Sequence, residues 1–266
     1  MNIGFIGAGA MAEAIIRGVI NSKILTPGKI SCGDISSDRV QYMRDTYGVL
    51  SYVGNEEVIR GSDLLILAVK PHIIKQAAGE IKGFAASEKI VVSIAAGVTI
   101  QAIENWLGGD LPVIRIMPNT PCLIGEGVSA LSPGEHADKN HIKMVRKIFE
   151  SVGTVIEIPE QLMDPVTGVS GSGPAYIYLV IEAMTDAGVA LGLPRNEAQK
   201  LVTKTIVGAA KMVDETGMHP AILKANVTSP GGTTAAALRE LEAHGMRTAF
   251  DKAISASCEK ASKFGK

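Results

Sequence analysis

Two short stretches of this 266-residue chain hold residues whose types and spacing could do chemistry. The first is Gly7-Ala8-Gly9-Ala10-Met11-Ala12, placed directly after the apolar run Asn2 to Ile6 and directly before Met11 to Ile20, where Ile15, Ile16, Val19 and Ile20 recur at helical spacing. In a G-x-G-x-x-A turn between strand and helix, the first glycine permits a tight bend and the second lets backbone approach a pyrophosphate. The last small residue lets helix and strand pack closely. Glycine-rich turns are common, and it is these flanking elements that point to a dinucleotide, its phosphates at the helix start.

The second stretch is Thr228-Ser229-Pro230-Gly231-Gly232-Thr233-Thr234, ahead of another helical segment. Two glycines between hydroxyl residues at a helix start expose several backbone N–H groups beside side-chain oxygens, which suits a small anion such as a carboxylate. Helix capping alone would need one Ser or Thr, and it would not need Gly231 and Gly232, whose ordering costs entropy. Gly171-Ser172-Gly173-Pro174-Ala175-Tyr176 is a related glycine-rich turn that opens the long apolar helix.

Other candidates cluster around the first turn. Asp34, at the end of the second strand, could accept hydrogen bonds from ribose hydroxyls and would repel a 2′-phosphate, which favours NADH over NADPH. Ser36, Ser37 and Arg39 follow and could hold such a phosphate, although Arg39 reads equally well as a solvated residue on a helix's first turns. Asn55, Ala68-Val69-Lys70-Pro71, Ser93-Ile94-Ala95-Ala96-Gly97 and Met117-Pro118-Asn119-Thr120-Pro121 stand at the carboxyl ends of later strands, the edge where open α/β sheets bind ligands. Small residues such as Ala68, Ala95, Ala96 and Gly97 leave room for a nicotinamide ribose, and Asn119 offers an amide. Lys70 could be catalytic, but a loop lysine near the cofactor is the plainer reading.

No His pair, H-E-x-x-H motif or Cys cluster offers metal ligands, and no Ser-His-Asp arrangement stands out. A reaction that needs no strong protein base fits, and hydride transfer to an already activated acceptor is one.

The elements that must position these residues alternate. Lys29 to Ile35, Leu50 to Val53, Leu64 to Val69, Lys89 to Ala95, Pro112 to Met117 and Thr154 to Ile158 read as strands. Between them, Ser36 to Tyr47, Asn55 to Arg60, Ile73 to Ile81 and Ile100 to Leu107 read as helical. Leu64 to Val69 has no polar alternation, as expected of a parallel strand covered on both faces. The alternation implies an α/β doubly wound parallel sheet. Every later segment reads as helix: Ala175 to Leu191, Pro194 to Val213 with Pro194 in a first turn, Pro220 to Val227, Thr233 to Ala243 and Met246 to Lys263. The expected domains are therefore 1–160, binding the cofactor, and 161–266, all-α.

Composition narrows the partners. Lys plus Arg number 26 against 27 Asp plus Glu, and a formal charge of −1 leaves no field for nucleic acid or an acidic membrane. Hydrophobic residues at 46% and charged residues at 20% make a globular balance, and five Phe, five Tyr and one Trp leave the interior to aliphatics and alanine. Cys32, Cys122 and Cys258 lie far apart, which fits reduced thiols, and no secretory signal or membrane span is visible. The expected location is the cytoplasm. Ala175 to Ile181 and Val207 to Val213 are too apolar for a solvent-facing layer, so the helical domain is expected to be half of a core completed by another chain.

Taken together, Gly-Phe-Ile-Gly-Ala-Gly-Ala-Met-Ala at the N-terminus, Ala68 to Pro71, Ser93 to Gly97, Met117 to Pro121, Gly171 to Tyr176 and Ser229 to Thr234 followed by Leu238, Leu241 and Glu242 resemble the pyrroline-5-carboxylate reductase family over essentially the whole chain. The resemblance implies a Rossmann domain and a helical domain that interleaves with a second subunit into a homodimer, often assembled into larger rings such as a decamer. It implies NADPH or NADH as cofactor, Δ1-pyrroline-5-carboxylate as substrate and L-proline as product. It further implies that Ser229 and the N–H groups of Gly231, Gly232 and Thr233 hold the substrate carboxylate, that Thr234 bonds the ring nitrogen, and that Glu160 lies near the substrate. Asp34 departs from the Ser or Thr expected there, which puts the NADPH preference in doubt.

Two rivals have distinct signatures. A β-hydroxyacid dehydrogenase needs a lysine on the long helix to move the hydroxyl proton, and Pro174 to Leu193 contains none; the first afterwards is Lys200. A non-catalytic dinucleotide sensor predicts a damaged substrate loop, and Ser229 to Thr234 is intact.

Overall fold

The computed structural model describes residues 1–84 and 89–263, and these fall into two compact units, one of residues up to 172 together with 255–263 and the other Gly173–Ile254. In chain order the first unit holds β1 (Ile3–Ile6), α1 (Ala10–Asn21), β2 (Ile30–Asp34), α2 (Ser37–Tyr47), β3 (Leu50–Val53), α3 (Glu56–Gly61), β4 (Leu64–Leu67) and α4 (Ile74–Phe84). It continues with β5 (Ile90–Ser93), α5 (Ile100–Leu107), β6 (Val113–Met117), β7 (Gly127–Pro133), α6 (Lys139–Glu150), β8 (Gly153–Glu157) and α7 (Met163–Val166). Among the described residues the strands form one sheet in the order β3-β2-β1-β4-β5-β6-β7-β8.

Successive side chains of a strand point to opposite faces, so each fully apolar strand serves two cores. Ile3, Phe5, Leu64, Ile66, Val92 and Ile114 pack with Ile15 and Ile16 of α1, Met43 of α2 and Phe149 of α6. Ile6, Leu65, Leu67, Val91 and Val113 pack on the other face with Val58 of α3, Ile81 of α4 and Ile103 of α5. Helices thus cover both faces of a mostly parallel sheet, a Rossmann-type arrangement.

The sheet departs from the expected all-parallel form at its far edge. β7 runs antiparallel to β6, pairing Met117 with Ala130 and Ile114 with Pro133, and β8 then runs parallel to β7. β7 is not visible in the apolar pattern, whereas α6 carries Ile142, Val145, Ile148 and Phe149 at helical spacing, although the expected element order passes over it. The β7 sequence Gly-Val-Ser-Ala-Leu-Ser-Pro hides its burial in small polar residues, Ser129 and Ser132 being 1% and 2% exposed. The start of α6 is marked by a capping box, in which Asp138 accepts from the His141 backbone and the His141 ring accepts from the Asp138 backbone.

The second unit holds α8 (Gly173–Ala190), α9 (Arg195–Thr216), α10 (Pro220–Asn226) and α11 (Thr233–Ala243), and α12 (Met246–Ala261) begins within it. Pro194 is the N-cap of α9 rather than a first-turn residue, with extended backbone at ψ 140°. Thr185 is the one buried residue of α8, whereas Ile177, Tyr178, Leu179 and Met184 are exposed. Among the described residues no helix is long and apolar enough to cross a membrane.

Candidate active site

The sheet order reverses around β1, so the ends of β1 and β4 open a crevice at the topological switch point. The Gly7 N–H donates to the Gly33 carbonyl at 2.8 Å, and the Ala68 N–H donates to the Ile6 carbonyl at 2.8 Å. Gly7 has φ +93°, and a Cβ there would lie 2.8 Å from Val69 Cγ1 and 2.9 Å from the Ala68 oxygen. No side chain is tolerated at that position. Gly9 is the N-cap of α1 and supplies no side-chain cap, so the first N–H groups of α1 stay open. Ala8 is buried, Gly9 and Ala10 are exposed and Met11 is half-buried. The cradle fits a pyrophosphate.

Beside it lies a polar chain. Asp34 is half-buried, with Oδ2 accepting the Ala8 N–H at 3.0 Å and Oδ1 accepting the Ser36 N–H at 3.0 Å. Ser36 caps α2, its Oγ accepting the Arg39 N–H at 3.3 Å. Arg39 is not the solvated side chain its helical position allowed. Its Nε donates to the Ala8 carbonyl at 2.5 Å, its Nη2 pairs with Glu13 Oε2, and its guanidinium lies 4.8 Å from the centre of the Tyr42 ring. Glu13 Oε1 accepts the hydroxyls of Tyr42 at 3.0 Å and Tyr47 at 2.7 Å.

This chain fixes charge states. Burial pushes the Glu13 carboxyl up, but the hydrogen bonds from Arg39, Tyr47 and Tyr42 together with the Arg39 charge outweigh it and hold the group below the usual glutamate range. Tyr47 is pushed up to about 12 by burial, by its bond to Glu13 and by the Glu13 charge. Nothing in the sequence pairs Glu13 with Arg39, because their contact depends on α1 and α2 lying side by side on one sheet face.

Ala68 and Val69 are half-buried at the end of β4, and Lys70 is exposed, leading into a single 3₁₀ turn at Pro71–Ile73. Ala95 and Gly97 are buried and Ala96 half-buried after β5. Asn55, after β3, donates from Nδ2 to Glu80 Oε2 at 2.7 Å. Asn119 is buried and both ends of its amide are engaged: Oδ1 accepts the Val128 N–H at 3.0 Å and Nδ2 donates to the Ser170 carbonyl at 3.2 Å. Ser170 belongs to a π-helical turn, Thr167–Gly171, closed by the Ser172 N–H on the Thr167 carbonyl at 2.8 Å. The stretch read as a glycine-rich turn at 171–176 is therefore the end of a π-helix and the start of α8, with Ser172 between them.

Glu160 sits at a polar junction. Its Oε1 accepts the Ile100 N–H at 2.7 Å and the Arg115 Nη1–H at 3.2 Å, while Arg115 Nη2 lies 3.7 Å from Asp164 Oδ1. Arg115, on β6, is only 4% exposed. Glu160 is thereby fastened to the start of α5, just beyond the Ala95, Ala96 and Gly97 loop.

In the second unit the 229–234 loop turns at Gly231, φ +69°, and the Gly232 N–H donates to the Ser229 carbonyl at 3.0 Å. Gly232 is the N-cap of α11 without a side-chain cap, and a Cβ on it would collide with Ser229 Oγ. Capping does not explain the hydroxyl residues here. Ser229, Gly231 and Thr233 are exposed, and Gly232 and Thr234 are half-buried. Open N–H groups beside a serine hydroxyl can hold a carboxylate.

Residues 160–264 match the family model described as pyrroline-5-carboxylate reductase dimerisation, and residues 2–97 match NADP oxidoreductase, coenzyme F420-dependent. A pyrroline-5-carboxylate reductase of Arabidopsis thaliana is 44% identical over 258 residues, 97% of this chain and 93% of that protein. Among solved structures, the pyrroline-5-carboxylate reductase of Coxiella burnetii superposes with TM-score 0.92 at 37% identity, covering 100% of this chain and 98% of that one. The Plasmodium falciparum pyrroline carboxylate reductase with NADP bound superposes with TM-score 0.91 at 35% identity, again covering 100% and 98%.

Proposed function

The chain belongs to the pyrroline-5-carboxylate reductase family, and from that premise we propose that it reduces Δ1-pyrroline-5-carboxylate to L-proline, the last step of proline synthesis, with NADPH or NADH. The relation over the full chain carries this reading. Two helix starts capped only by glycine, at Gly9 and Gly232, support it, because each leaves backbone N–H groups open to an anion.

A bound reduced nicotinamide would supply hydride to the C=N carbon of the imine, the atom that becomes C5 of proline; with the imine nitrogen already protonated, the product would be a secondary ammonium and no general base is required. The protein's work is positioning. Gly7, Ala8, Gly9, Ala10 and Met11 receive the pyrophosphate, with Asp34, Ser36, Arg39 and Asn55 toward the adenosine end. Ala68, Val69, Lys70, Pro71, Ala95, Ala96, Gly97 and Asn119 frame the nicotinamide end. The Ser229 hydroxyl and the N–H groups of Gly231, Gly232 and Thr233 hold the substrate carboxylate, Thr234 Oγ1 bonds the ring nitrogen, and Glu160 borders the substrate.

The working division lies at 160/161, and the helical part completes its core with a second copy. Exposure of Ile177, Leu179, Val207 and Met212 supports a homodimer, which a higher assembly such as a decamer would extend. The cytoplasm is the proposed location. The deciding experiment is oxidation of NADH and NADPH in the presence of pyrroline-5-carboxylate, with proline as the product; no turnover with either cofactor overturns the reading. The rival hydroxyacid chemistry lacks its acid/base group, because α8 contains no lysine.

A further inference from the structure

We propose that Glu13, which belongs to no part of the pyrophosphate cradle, sets how well the protein accepts a dinucleotide with a 2′-phosphate, by restraining Arg39. The proposal rests on the dinucleotide reading of the first unit.

A 2′-phosphate demands a cation at the end of β2, and Arg39 is the cation on this side of the turn. Two of its five N–H donors are engaged. Nε bonds the Ala8 carbonyl at 2.5 Å, Nη2 is in the ion pair with Glu13, and the guanidinium face covers Tyr42 at 4.8 Å. Glu13 is itself pinned by two tyrosine hydroxyls, so it cannot swing away when a ligand arrives. Its negative charge cancels that of Arg39, and Asp34 adds a second carboxylate one step along, bonded to the Ala8 N–H at 3.0 Å. These three groups together carry one negative charge. A ribose hydroxyl is welcome there, whereas a phosphate finds a guanidinium held in place by Glu13, with its charge already offset. Glu13 is thus a positioning residue for cofactor choice. It acts through Arg39 and needs no contact with the ligand.

The test measures binding of NADP⁺ and NAD⁺, and of 2′,5′-ADP and 5′-AMP, to the full-length protein by calorimetry, alongside kcat/KM with NADPH and NADH. Glu13→Gln keeps the side-chain shape and removes the charge. The 2′-phosphorylated to unphosphorylated affinity ratio is expected to rise about tenfold, the worth of roughly one charge-assisted hydrogen bond. Glu13→Gln/Arg39→Met is expected to return the ratio to or below the wild-type value, because the released cation is gone. A ratio unchanged or lowered in Glu13→Gln overturns the proposal, as does a raised ratio that survives loss of Arg39. If Glu13→Gln unfolds, Tyr42→Phe with Tyr47→Phe, which loosens Glu13 while keeping its charge, is expected to raise the ratio by a smaller factor, and no rise overturns the proposal. Binding ratios that shift as expected without pyrroline-5-carboxylate turnover would sink the reductase reading and leave the role of Glu13 standing.

Discussion

The carboxylate of Asp34 accepts the backbone N–H of Ala8 at 3.0 Å, so the end of β2 is fastened to the glycine turn by the same side chain that would meet the adenosine ribose. Asp34→Ser removes the charge that repels a 2′-phosphate and, with its shorter side chain, loosens the tie to Ala8. The expected outcome is a higher NADPH to NADH ratio of kcat/KM, with some loss of kcat/KM for NADH. If the ratio does not rise, Asp34 is not the discriminator.

Thr234 stands in the first turn of α11, half-buried beside the open N–H groups. Thr234→Ala is expected to lower kcat/KM by about 1 to 2 kcal/mol of transition-state stabilisation, the worth of one modest hydrogen bond. Steady-state kinetics with the imine varied checks this, and unchanged kinetics removes Thr234 from the mechanism.

Arg115 is 4% exposed, whereas the side chains of its partners Glu160 and Asp164 are 29% and 31% exposed and keep some water. Arg115→Met therefore costs about 2 kcal/mol, less than the 3 to 5 typical when a fully buried partner is stranded. Urea midpoints measure it. Glu160→Ala, which also frees the Ile100 N–H, is expected to raise KM for the imine, which the carboxylate borders, more than KM for the dinucleotide.

The Glu13 carboxyl is held below the usual glutamate range in the folded protein, so the stability it confers is fully present above the unfolded value of about 4.3 and is lost as pH falls through the lower folded value. The gap in urea midpoint between wild type and Glu13→Gln should shrink on acidification below about pH 4. Tyr47 gives the opposite limb: raised to about 12, it contributes stability that is present below its unfolded value and lost as pH climbs toward 12. Tyr47→Phe should flatten that alkaline decline, and an undiminished decline would locate it elsewhere.

Leu179 is 65% exposed on α8. Light scattering at micromolar concentration should show a dimer or larger, and Leu179→Glu should lower the mass. A wild-type monomer contradicts the proposed interface.

The parallel strands were legible because burial on both faces leaves an unbroken apolar run, as in Leu64–Leu67. The turn at Gly7 was legible because glycine there answers a steric demand that a Cβ cannot meet. β7 was not, since Ser129 and Ser132 are buried without being apolar. The commitments of Asn119 and Glu160 were not either: Asn119 is bonded to Val128 and Ser170, and Glu160 to Ile100 and Arg115, contacts 9 to 60 residues apart that only the folded sheet brings together. A residue type at a strand end announces that a polar group is available, and the fold decides whether it is still available afterwards.

The Arg115 junction also has a consequence for how the chain is made. During synthesis from the N-terminus, the cation on β6 is complete some 45 residues before Glu160 emerges. A ribosome-bound chain that closed its sheet before the carboxylates of Glu160 and Asp164 arrive would bury a guanidinium with no counter-ion. A fragment cut at 159 would lack both, whereas one ending at 172 would carry both. The ion pairs that neutralise a strand in the middle of the sheet are therefore completed only past the point where the last strand ends.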